Sequence, residues 1–167
     1  MTVVPYNRAA AVSYAHAWAH GRNPAYYDFE QLGGDCTSFA SQVLFAGSGV
    51  MNYTQTLGWY YTSLANRSPS WTGVIFLYNF LTTNAKAGPF GRVAPLSSAM
   101  KGDVVQIATI QENFHHTPVI VDVLPRQGEI TADRILVAAH SDDCDMRPLS
   151  SYAYHKLRII HIDGVRK

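Results

Sequence analysis

The chain has 167 residues, 47% of them apolar and 15% charged, with a formal net charge of +1. That is enough for one domain with a buried core, spanning 1–167, and too apolar for a disordered tail. The lack of a long basic run gives no reason to expect nucleic acid or anionic lipid as a partner, and no stretch is long and apolar enough to cross a membrane.

The N-terminal "MTVVPYNRAAAV" has no charged lead followed by an apolar run, so it is not read as a secretory signal. The expectation is a cytoplasmic chain, a domain of a longer protein, or export by another route. "YNRAAAVSYAHAWAHGRNP" predicts a first helix. Asn7 can cap it, Ala11, Tyr14, Ala15 and Trp18 share one face, and Gly21 and Asn23-Pro24 end it. "AYYDFEQLGG" reads as a loop closed by two glycines. "DCTSFASQVLFAG" predicts a second helix, with Phe39, Val43 and Leu44 on one side and Gly47 as a stop. The aromatic stretch around "GWYY" is irregular. The length of "WTGVIFLYNFLTTNA", and its Val74, Leu77, Tyr78, Leu81 spacing, favour a helix over a strand. Four strands follow, in "GDVVQIATI", "HTPVIVDVL", "RILVAAHS" and "HKLRIIHID". Helices first and an antiparallel set of strands after them predict an α+β fold rather than an alternating one.

The segment "GGDCTSFASQVL", Gly33 to Leu44, carries the chemistry. A free thiol is mostly protonated at neutral pH and only its thiolate is a strong nucleophile. A cysteine in the first turn of a helix meets unpaired N–H groups and the positive end of the helix dipole, which favour the anion. Gly33 and Gly34 allow a tight approach, and Asp35 can serve as the N-cap. Backbone N–H groups at that end, that of Asp35 included, can also hold a developing oxyanion. The base such a thiol needs lies in the strand half. His115 and His116 open one predicted strand and His140 closes the next, with Asp142 and Asp143 just beyond it. The alternative for Cys36 is a small buried hydrophobe. Two cysteines, Cys36 and Cys144, make no disulfide framework, which leaves one bridge or two free thiols. His16 and His20, one helical turn apart, are read as a surface face, since no zincin-type glutamate accompanies them.

Taken as a set, "YNRAAAVSYAHAWA", "NPAYYDF", "GGDCTSFASQVL", "GWYY", "SPSWTGV", "KGDVVQI", "HHTPVIV" and "AAHSDD" cover nearly the whole chain. In this set the chain resembles the putative amidase domain family of bacteria, itself similar to NlpC-type papain-like cysteine peptidases. The resemblance implies a papain-like fold with N-terminal helices packed on an antiparallel sheet. It implies Cys36 as nucleophile, His116 as general base and acid, and a third polar residue that orients the imidazole. His140 sits where that third residue is expected, with Asp142 or Asp143 as alternatives. It also brings in Gln31, as the upstream glutamine many papain-like enzymes use for the oxyanion.

Trp59 and Tyr60 are read as lining a substrate cleft, with a core position as the alternative. The expected activity is a cysteine amidase or peptidase acting through an acyl-enzyme on peptide or other amide substrates. Cell-wall peptidoglycan is the first candidate the resemblance suggests, and no cofactor is implied. Acyl transfer by the same Cys/His pair is one alternative. An inactive or zinc-binding recognition module, with Cys36, His116 and His140 as ligands, is another.

Overall fold

A computed structural model describes residues 1–125 and 127–167. The first helix, α1 (Arg8–Trp18), is capped as its sequence predicts: Asn7 Oδ1 accepts the Ala10 N–H at 3.0 Å. Ala11 and Ala15 are fully buried on its inner face, where their small size brings α1 close to the second helix. That helix, α2 (Cys36–Ser48), is buried almost all round rather than along one side. It runs past Gly47 and ends at Gly49, which takes the left-handed C-cap with φ +66°. Gly47 is there for a different reason. A Cβ on it would lie 2.2 Å from Tyr6 Cε2, so the close packing of Tyr6 requires glycine. The "WTGVIFLYNFLTTNA" segment is helical, split by Gly73 into α3 (Pro69–Thr72) and α4 (Val74–Thr83), with Leu77 and Leu81 buried.

The four predicted strands form, as β3 (Val104–Ala108), β4 (Val119–Val123), β5 (Ile135–Ala139) and β7 (Lys156–Arg166). Three others join them: β1 (Val3–Val4), β2 (Gly88–Ala94) and β6 (Cys144–Pro148). All pairings are antiparallel. β7 takes β2 along one side and both β3 and β1 along the other, and the sheet continues through β4 and β5 to β6. The molecule is thus α+β, with helices on one face of an antiparallel curled sheet.

Both faces of the sheet are apolar. One set, including Val104, Val119, Ala138 and Ile160, joins the helices in the main core. The alternate residues, among them Val105, Ile120, Val137 and Ile159, form a second cluster under the connecting turns at Leu96 and Leu149. The Gly-Asp turn before β3 has a structural role. Asp103, fully buried, accepts from Arg8 Nη1 at 2.7 Å and from the N–H groups of Met100 and Ile162, and lies 2.9 Å from His161 Nδ1. One carboxylate so ties α1 to β3 and β7, with every polar partner satisfied.

Candidate active site

The approach to α2 is built by its two glycines. Gly33 (φ +93°) and Gly34 (φ +100°) occupy backbone space that L side chains rarely enter, and the turn they make delivers Cys36 as the first residue of the helix. Cys36 is 7% exposed. Its Sγ lies 3.8 Å from Thr37 Oγ1 and 4.0 Å from the carbonyl oxygen of His115. Thr37 Oγ1 in turn pairs with Thr117 Oγ1 at 3.0 Å, which pins the helix start against the segment leading into β4. His116 lies in that segment and bridges to Ile107 of β3 just before β4 begins. Pro118, which lacks an N–H, separates it from the regular ladder.

Cys36 and His116 line one cavity of about 350 Å³, together with Gly34, Asp142, Arg147 and Tyr152. The His116 ring packs against Tyr152, with centroids 5.5 Å apart. Burial pushes its pKa down from 6.5 to about 4, helped by the charges of His115 and Arg147. Burial also pushes the Cys36 thiol up. The Thr37 hydroxyl and the backbone N–H groups of Thr117 and Thr37 offset this only in part. The expectation of a lowered thiol pKa at the helix start is therefore reversed: burial raises it, in the same cavity where burial lowers that of His116. His115 is exposed at the rim, with Nε2 2.8 Å from Thr109 Oγ1.

Of the remaining sequence-predicted site residues, Asp142 lines this cavity and the others fall elsewhere. His140 is fully buried, and both of its ring nitrogens are engaged. Nε2 donates to Trp18 O at 2.7 Å and Nδ1 meets Asp35 Oδ2 at 2.5 Å, while the ring stacks on Phe39. It clamps the end of α1 to the start of α2 and has no nitrogen left for His116 or for a metal ion. Among the described residues no cluster suits a metal ion. Asp35 does not cap the helix with its side chain, because its carboxylate serves Phe29 N–H and His140. Nor is its backbone N–H available to an oxyanion, since that group donates to Ser141 Oγ at 3.1 Å. Gln31 is exposed and lies off the cavity wall. Trp59 belongs to the core rather than to a cleft: it is fully buried against Trp71 and Phe80, and its indole N–H donates to Ser41 Oγ. Tyr60 packs against Tyr53, also away from the cavity. Of the two aspartates after β5, Asp143 is bound by Arg22 and Asp142 by Arg147.

Ser141 and Tyr152 escape a sequence reading, whereas Asp142, an alternative for the third residue, does line the cavity. Ser141 and Asp142 both adopt left-handed backbone (φ +60° and +67°) in the β5–β6 turn, and Ser141 Oγ links Asp35 N–H to Glu30. Tyr152, which packs on His116, is held by its hydroxyl contact with Cys144 Sγ at 3.4 Å. Both cysteines are free. Only the turn-forming composition of "HSDD" hinted at any of this.

Comparison with known proteins gives this geometry a family. The chain belongs to the putative amidase domain family, whose match spans residues 5–162 and so takes in α1, α2 and nearly all of the sheet. Membership carries amide hydrolysis at the level of the family's description, without naming a nucleophile or a substrate. Over 120 residues the chain is 35% identical to the uncharacterized protein YhbB of Bacillus subtilis (strain 168). That stretch is 70% of this chain but 37% of the relative, so the chain spans well under half of the relative's length. No solved structure matches the chain.

Proposed function

We propose that the protein is a cysteine amidase in which Cys36 is the nucleophile and His116 the general base and acid. The observation that carries this reading is the convergence of both side chains on one cavity, the thiol at a helix N-terminus and the imidazole at a strand end. His116 takes the thiol proton as Sγ bonds to the amide carbonyl carbon. The resulting oxyanion is met by first-turn N–H groups of α2. His116 then passes the proton to the nitrogen as the C–N bond breaks. Water, deprotonated by the same imidazole, releases the acyl group and regenerates the thiol. Because thiol and imidazole both start neutral, proton transfer accompanies attack rather than preceding it. Tyr152, not His140, is the group that positions the His116 ring.

The same order of nucleophile and base along the chain supports a papain-like, NlpC-type relationship. Peptide bonds of peptidoglycan are the first substrates to try. The experiment is digestion of peptidoglycan fragments and a panel of N-acyl amino acid amides by wild type, Cys36→Ala and His116→Ala, with intact-mass detection of an acyl adduct. Loss of turnover in both variants and an adduct on Cys36 are expected. A Cys36→Ala protein that keeps wild-type turnover would falsify the assignment.

A further inference from the structure

The cavity at Cys36 holds a cation that the chemistry above does not use. Arg147, on β6, lines the same cavity as Cys36 and His116. Its guanidinium is held in place from several sides. Cζ lies 3.7 Å over the Tyr152 ring, Nε donates to Ser151 Oγ at 2.7 Å, and Nη2 donates to Ser151 O at 3.4 Å. These contacts fix the fork, and a fixed fork loses little freedom when it binds a planar anion.

The contact of Nη1 is of another kind. It reaches Asp142 Oδ2 at 3.3 Å, and the Asp142 side chain is 89% exposed while that of Arg147 is 27% exposed. An ion pair with so solvated a carboxylate is worth little and exchanges readily. A guanidinium has five N–H donors, of which these contacts use three. The Arg147 charge also helps to lower the His116 pKa, in keeping with their shared place in the cavity wall. Among the described residues that line the cavity, Asp142 is the one acidic side chain, so it is the carboxylate a substrate would have to displace from Arg147.

We propose that Arg147 anchors a carboxylate of the substrate, which displaces Asp142, so that the amide taken by this site carries a free carboxyl group beside the scissile bond. The inference rests on Cys36 being the nucleophile. It adds the substrate's charge, which that reading leaves open.

Iodoacetate and iodoacetamide test it without knowledge of the substrate, because they are nearly the same size and differ in carrying a carboxylate or a neutral amide. Alkylation of the full chain is followed by mass spectrometry at Cys36 and Cys144 separately. The iodoacetate-to-iodoacetamide rate ratio at Cys36 is expected to exceed that of the urea-unfolded chain by about tenfold, the effect of one charge-assisted contact. Arg147→Gln should bring the ratio down to the unfolded value, Arg147→Lys should restore part of it, and Asp142→Asn should raise it by removing the competing carboxylate. The preference should persist at about 0.5 M salt, where long-range attraction is screened. Altered packing on Tyr152 would change both rates together and leave their ratio unmoved. If Arg147→Gln does not fold, Asp142→Asn decides. A reactive Cys36 whose ratio is unchanged in these variants overturns the carboxylate anchor and leaves the nucleophile standing. A Cys36 that stays unmodified by both reagents in the folded chain, at pH 9 as at pH 7, is closed to any substrate and overturns the nucleophile, and the anchor with it.

Discussion

Cys36 and His116 share a cavity in their uncharged forms, and this sets the pH behaviour of the site. With its pKa near 4, His116 is a free base through the neutral range and ceases to accept a proton only as pH falls towards that value. The thiol, raised by burial, forms more anion as pH climbs past its ordinary range. Alkylation of Cys36 by iodoacetamide should therefore keep rising through pH 9, with no plateau near neutrality. A plateau below pH 7 that vanished in His116→Ala would show a resting thiolate–imidazolium pair instead. At this scale much of the candidate site was legible. Two glycines and an aspartate ahead of a cysteine, at the start of an apolar run, mark a sharp turn into a helix. His116 stood out as the opening residue of an apolar strand. The role of His140 was not legible, because it depends on Asp35, which is 105 positions away and reaches it only through the packing of β5 against α2. Trp59 was misread for a similar reason: irregular backbone suggested a cleft, but Ser41 on α2 supplies a buried acceptor for its indole N–H.

Helix α2 is the element that everything at the site leans on, and Gly47 tests how tightly it is held. In an exposed helix, replacing glycine with alanine adds roughly 1 kcal/mol of stability. Here the sign should reverse, because the new Cβ would overlap the Tyr6 ring from 2.2 to 2.9 Å away. Overpacking of this kind costs about 1–3 kcal/mol. Urea denaturation of Gly47→Ala is expected to show a lower midpoint, and a raised midpoint would mean that Tyr6 moves aside freely. Among the elements, the helices and the four apolar strands were readable from their periodicity. Strands β2 and β6 were not. "GPFGRVA" contains two glycines and a proline, and is extended because β7 offers seven backbone partners along it. "CDMRP" is a short polar edge strand formed by the return from the β5–β6 turn. Neither carries an alternating pattern, since their conformation comes from the neighbouring strand rather than from their own side chains.

The molecule as a whole should become less stable in acid through His116. The unfolded chain takes up this proton from about pH 6.5 downwards, the folded chain only near pH 4. Between those values protonation favours unfolding, so the contribution is intact above pH 6.5 and lost as pH falls towards 4. The full effect is on the order of 3 kcal/mol. It is measured as the difference in unfolding free energy between wild type and His116→Gln at pH 7 and pH 4.5. That difference should shift against the wild type on acidification. A difference independent of pH would mean that the ring stays well solvated in the fold. At this scale the α+β class was the most legible feature, because the order of helices and strands along the chain fixes it. The apolar second face of the sheet was harder to see, since turns far apart in sequence cover it.

Thr2 and Lys167 exchange backbone hydrogen bonds, N–H to O in both directions, at 2.8 and 2.9 Å. They do so where β7 finishes, whereas the start of β7 lies beside the segment that carries His116. Eleven residues of strand separate the two ends, a span on the order of 30 Å. Any polypeptide attached before or after the domain would thus leave from neighbouring points, at the end of β7 remote from the segment that carries His116.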